Sequence, residues 1–123
     1  MKYLALNDIN CYKRSLNISN YVWNIVVNWE WFSKKTVGDQ FVRAVDSVSA
    51  NIAEGFGRYT KKDKIKFYRY SFGSLKESCD WNEKAKIRKL ITMEQYAFIL
   101  NELQSLPKEI NQLIQFTNLK LKK

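Results

Sequence analysis

Apolar residues recur along this chain at helical spacing, and glycine or capping residues divide the pattern into four stretches. The first spans about 8–32 without Gly or Pro and has Asp8 as a candidate N-cap. It carries Ile9, Tyr12, Leu16, Trp23 and Val27 on one face, and Ile18, Tyr21, Val22, Ile25, Trp29 and Phe32 on a broadly opposite one. Gly38 marks the expected break. Asp39 then caps a second helix over about 39–56, with Phe41, Val45, Val48 and Ile52 as its inner stripe and Gly55 or Gly57 closing it. Thr60, with Asp63 at the N3 position, opens a third helix over about 61–89, roughly 40 Å long at about 1.5 Å per residue. Thr92, followed by Glu94 and Gln95, opens a fourth over about 93–119, with Tyr96, Ile99, Leu103, Leu106, Ile110 and Leu113 on one face. Pro107 falls inside it and predicts a kink or a break. Four helices with short connections predict an all-α, antiparallel up-down four-helix bundle, one domain over 1–123.

Two of these helices carry more apolar surface than one bundle uses. The first has two stripes, and the third pairs an inner stripe of Ile65, Tyr68, Phe72, Leu75 and Cys79 with Phe67, Tyr70 and Trp81 about 130° away. Large aromatic patches are seldom left in water, so Tyr21, Ile25, Trp29, Phe67, Tyr70 and Trp81 are expected at contacts between copies of the chain. The plainer reading makes the first helix the most buried element of a monomer.

Charge sharpens the picture of partners. The chain is +9 with no histidine, and residues 58–89 hold 11 Lys or Arg against 4 Asp or Glu, a net +7. Lys62, Lys66, Arg69, Gly73, Lys76, Asp80 and Lys84 share one face of the third helix, a track suited to a phosphate backbone, with Tyr59 and Tyr70 nearby for stacking. A solvated lysine-rich helix face is the alternative. RNA and DNA are therefore the first partners to consider, read through backbone charge, since no helix-turn-helix, zinc-finger or RNP-type motif is visible.

Composition argues against catalysis. Without histidine there is no Ser-His-Asp or Cys-His relay and no Glu-x-x-His di-iron set, and Cys11 and Cys79 alone make no closed zinc site. No metal or cofactor is expected. Asp46 and Glu54 share a side of the second helix, but Glu54 is better placed to pair with Arg58 at i+4. No apolar run is long enough for a membrane span and the first 15 residues lack a signal-peptide core, so a cytoplasmic, non-enzymatic protein is expected.

The segment FVRAVDSVSANIAEGFGR, followed at its present separation by KFYRYSFGSLKES, resembles a small bacterial four-helix-bundle family first noticed within intervening sequences of large-subunit ribosomal RNA genes. Its members are sometimes labelled ribosomal proteins. The likeness covers nearly the whole chain. It departs from the family at Ser49, where proline is common, and at Leu90-Ile91-Thr92, which replaces a Leu-Gly-Tyr-like turn. The resemblance implies a left-turning bundle assembled into a homopentameric barrel. It extends to the accessory protein of diversity-generating retroelements, a basic pentamer that binds nucleic acid and partners a reverse transcriptase. By position it implies Arg58, Lys62, Lys66, Arg69 and Lys76 as polyanion contacts, and structural roles for Asn51, Glu54, Gly55 and Gly73. The expected function is that of a basic homo-oligomer binding structured RNA or DNA. The alternative is an adaptor that docks a protein on its aromatic faces.

Overall fold

A computed structural model describes residues 4–122, and four long helices dominate it: α1 (Asn10–Val26), α2 (Asp39–Gly57), α3 (Lys61–Ile87) and α4 (Met93–Lys120). No strand occurs among the described residues. Helices consecutive in the chain pack side by side and α1 closes against α4, so the four form a bundle. Its core is aliphatic with two large rings: Ile18, Val22, Phe41, Val45, Val48, Ile52, Tyr68, Ile99, Leu103, Leu106 and Ile110 are all essentially sealed from solvent. Each such side chain contributes about 1.5–3 kcal/mol by leaving water.

Helix α2 is the hub. The Ser19 hydroxyl of α1 donates to its Val45 carbonyl at 3.0 Å, and the Ser71 hydroxyl of α3 donates to its Val48 carbonyl at 3.3 Å. Serine is small enough to let the backbones approach and polar enough to bond across the gap. On the remaining side, Arg14 of α1 bridges Glu102 and Glu109 of α4, with contacts of 2.9 Å to each.

The first helix differs most from the sequence expectation. Asp8 does not cap α1; it closes a 3-10 turn over Leu6–Asp8, accepting the Ala5 N–H at 2.9 Å, and Ile9 holds the cap position with no side-chain bond. The helix stops at Val26 instead of reaching Phe32, because Glu30 starts a new one: its carboxylate accepts the N–H groups of Phe32 and Ser33 at 3.0 and 2.8 Å. The turn Trp31–Ser33 then widens into a π-helical stretch, Lys34–Gly38, that runs into α2 without interruption. Gly38 is thus helical and not a break. A Cβ there would sit 2.6 Å from Val26 Cγ1, so the glycine serves a close crossing with α1. Asp39 pairs with Arg43 at 3.1 Å and does not cap.

The later boundaries follow the sequence closely. Helix α2 ends at Gly57, where the Arg58 N–H donates back to the Gly55 carbonyl. Lys64 donates to the Phe56 carbonyl at 2.6 Å, satisfying one carbonyl left over at the end of α2. Thr60 caps α3 by accepting the Asp63 N–H, and Thr92 and Gln95 form a reciprocal capping box on α4. Between them, α3 closes in a Schellman arrangement: Leu90 N–H bonds Ala85 O, Lys89 N–H bonds Lys86 O, and Lys89 adopts a left-handed φ of 60°. Pro107 does not break α4, which continues to Lys120 with one fewer internal hydrogen bond.

Candidate nucleic-acid interface

Helix α3 buries Tyr68, Ser71, Leu75, Ser78, Asn82 and Ala85, which fixes its rotation in the bundle. Lys62, Lys66, Arg69, Gly73 and Lys76 therefore face solvent. None of these four cations joins an ion pair among the described residues. Gly73 leaves bare helix between Arg69 and Lys76, since a Cβ there would meet nothing within 4 Å. The run of free charge ends one turn later, where Asp80 and Lys84 neutralise each other at 2.6 Å. Lys62 to Lys76 spans roughly 21 Å at about 1.5 Å per residue.

The face leans toward α4. Lys61, Lys62, Ile65, Lys66 and Arg69 line a groove with Asn118 near the end of α4, and Lys61 Nζ approaches the Asn118 carbonyl at 3.4 Å. Lys61 and Asn118 were not among the sequence candidates. The contact between them joins positions 57 residues apart, which helical spacing alone does not reveal. Further along, Lys76 borders a second groove with Phe72, Cys79, Leu103 and Pro107.

Arg58 is placed differently from the other four. Its guanidinium binds Glu54 at 2.8 Å and lies 4.4 Å from the centre of the Phe67 ring. This is the i+4 pair anticipated from the sequence, made through one oxygen of the half-exposed Glu54 carboxylate. Asp46 is pushed above the usual carboxylate range, chiefly by desolvation. Lys64, whose pKa is lowered by desolvation, is turned inward to Phe56 and away from the track.

The six aromatic and aliphatic residues expected at subunit contacts divide by exposure. Tyr70 is exposed, while Tyr21, Ile25, Trp29, Phe67 and Trp81 are half-buried. Tyr21 packs on Phe98 of α4 with ring centres 4.4 Å apart, and Phe67 meets Tyr70 edge-on. Of the two stripes on α1, the one containing Ile18 and Val22 faces the core. The other leaves Leu16, Trp23 and Val27 in solvent; beyond the helix Trp31 is exposed too, and so is Phe32, which helical spacing assigns to the core-facing stripe. Alternation of apolar positions revealed two stripes but not which one the bundle covers.

Cys11 is fully buried and its thiol is pushed up to about 12 by desolvation, reinforced by the charge of Glu109. Cys79 is half-buried and also raised by desolvation. Neither resembles an activated nucleophile. No cluster of three His, Cys, Asp or Glu side chains suited to a metal occurs among the described residues, and no described helix is long and apolar enough to cross a membrane.

A small four-helix bundle with cations, unpaired among the described residues, along one exposed face of α3 is the class these features define. The chain belongs to the 23S rRNA-intervening sequence protein family, whose model matches residues 7–112. The fold is similar to that of a crystallised protein of unknown function from the S23 ribosomal protein family of Bacteroides thetaiotaomicron. The TM-score is 0.74 and the identity 23%, over 85% of this chain and 97% of the other. Among curated proteins, none matches this sequence.

Proposed function

We propose that this protein is a non-enzymatic, cytoplasmic homo-oligomer that binds structured RNA or DNA through the phosphate backbone. The observation that carries the reading is the set Lys62, Lys66, Arg69 and Lys76, four solvent-facing cations on one rigid helix with no carboxylate partner among the described residues. Free cations release bound counterions from a polyanion without first breaking an internal ion pair. The family description ties its members to intervening sequences of 23S rRNA, which makes folded RNA the first ligand to try.

Assembly is the second half of the proposal. Leu16, Trp23 and Val27 form an exposed apolar strip along α1, and Trp31 and Phe32 are exposed in the turn beyond it, the kind of surface that contact with another copy would cover. The family likeness suggests five copies, and a ring of chains each carrying +9 would pool a strong positive field. A protein partner seated on the same strip is the second reading, favoured by the exposure of Trp31 at 69% and Phe32 at 64%.

Fluorescence anisotropy with RNA and DNA across a salt series tests the binding. Four phosphate contacts per chain give a log–log salt slope of about −3 to −4 for that chain. The combined K62E, K66E and R69E variant should lose binding. Affinity that ignores both salt and this variant would refute the phosphate track. Light scattering tests assembly, and a monomer at tens of micromolar, with or without nucleic acid, would refute that half.

A further inference from the structure

Tyr59 sits in the three-residue connection between α2 and α3, and it is 89% exposed. Other rings in this part of the molecule are engaged. Phe56 lies beneath Lys64, Phe67 beneath Arg58 and Lys66, and Tyr70 meets Phe67 edge-on with centres 5.4 Å apart. Tyr59 has no ring, cation or side-chain hydrogen-bond partner among the described residues. The connection holding it is nonetheless fixed on both sides. Arg58 is tied to Gly55 through its N–H and to Glu54 through its side chain, while Thr60 is committed as the cap of α3. The ring is thus presented on a fixed stem two and three residues before Lys61 and Lys62, where the cationic groove begins.

We infer that Tyr59 is a stacking platform for an unpaired base at the head of the cationic track, so the ligand this face selects is single-stranded or looped nucleic acid in preference to a continuous duplex. The inference rests on the nucleic-acid reading above and adds the strandedness of the ligand. An aromatic ring beside a backbone-tracking groove binds bases through their π faces, which only unpaired bases present. A duplex offers the same phosphates but keeps its bases stacked on one another. The roughly 21 Å from Lys62 to Lys76 would then hold the sugar-phosphate chain leading away from the stacked base.

The test uses the intact protein with a twelve-nucleotide single strand carrying one 2-aminopurine, and the same strand annealed to its complement. Wild-type protein should bind the single strand more tightly and quench the 2-aminopurine. Tyr59→Ala should abolish the quenching and weaken single-strand binding by about five- to a hundredfold, with the duplex affinity and salt slope unchanged. Tyr59→Trp should restore both signals. A Tyr59→Ala protein that binds both ligands as wild type does, while K62E/K66E weakens both, would overturn the stacking inference and leave the track standing. A wild-type preference for the duplex would overturn it as well. Absence of any binding at low salt would remove the track and the inference together. Because the ring touches so little, Tyr59→Ala should melt like wild type, and this control separates lost contact from lost fold.

Discussion

The ring of Tyr68 fills the space that a side chain at Gly55 would need: a Cβ on residue 55 would fall 2.7 Å from both Cδ1 and Cε1, and 2.8 Å from the Lys64 carbonyl. Tyr68 is buried in the first third of α3, between Lys66 and Arg69 in sequence, so this contact sets how closely α2 and α3 approach alongside the cationic face. Gly55→Ala must therefore displace either a sealed ring or helix backbone. A loss of at least about 1–3 kcal/mol is expected, seen as a drop of several degrees in melting temperature. Gly73 supplies the contrast, since it is helical, exposed and has open space around it. Gly73→Ala should gain about 0.5–1 kcal/mol through helix propensity. Equal effects at the two positions would contradict the packing described.

Lys89 carries a left-handed backbone that an L-residue adopts only at a cost, imposed by the Schellman closure of α3. Replacing it with glycine should remove that cost and stabilise the protein by about 1 kcal/mol, as measured by denaturant unfolding. Lys89 lies outside the track, so binding of nucleic acid should change little. A destabilised Lys89→Gly variant would mean that the turn is not closed in this way.

Caps and stripes were readable from sequence where one local pattern decided the outcome. Thr60 with Asp63 and Thr92 with Gln95 are local bonds over three residues, and both occur as expected. The Glu54–Arg58 pair likewise follows from helical spacing, whereas the inner stripe of α3 does so in part: Tyr68 and Leu75 are buried, Ile65, Phe72 and Cys79 are half-buried, and Ser71, Ser78, Asn82 and Ala85, which no apolar pattern marks, complete the buried face. Gly38 misled because glycine signals both a turn and a close crossing, and only the position of Val26 from another helix distinguishes them. Glu30 hides a cap because Ser, Thr, Asp and Asn are the usual N-cap residues, while an apolar pattern carried on through Phe32. On the cationic face, spacing gathered Lys62, Lys66 and Arg69. Lys61 and Asn118 join it only through the return of α4.

Alkaline pH should unfold the protein earlier than its aliphatic core alone suggests. The Cys11 thiol and the Tyr68 phenol both titrate at about 12 in the folded chain, chiefly through desolvation, against ordinary values of 9.0 and 10.0. The unfolded chain therefore gives up these protons first. Stability is fully present below about pH 9 and should decline as the pH rises toward 12. Cys11→Ala should flatten the first part of that decline. In the native protein at pH 8, a thiol reagent should modify Cys79 before Cys11, which reacts only on unfolding. Rapid native labelling of Cys11 would show that its burial is not maintained in solution.

Arg58 and Lys66 lie eight residues apart, yet they should contribute very differently to polyanion binding. Arg58 is held by Glu54 at 2.8 Å and by the face of Phe67, so a phosphate must compete with both. Lys66 is exposed with no carboxylate partner, although its ammonium also comes within 5.6 Å of the Phe67 ring centre. Lys66→Ala should thus weaken binding across nucleic-acid sequences and reduce the salt slope by about 1, with Arg58→Ala having the smaller effect. Glu54→Gln removes the competing carboxylate and frees the guanidinium. It should increase affinity severalfold and steepen the salt slope, at a stability cost typical of an exposed ion pair, about 0–1 kcal/mol. The two substitutions are coupled: in the Arg58→Ala background, Glu54→Gln should bring a smaller gain in affinity, because the cation it would release is gone. Anisotropy titrations on the four proteins of that cycle decide the matter, and a gain from Glu54→Gln that is undiminished without Arg58 would show that the pair does not restrain this arginine.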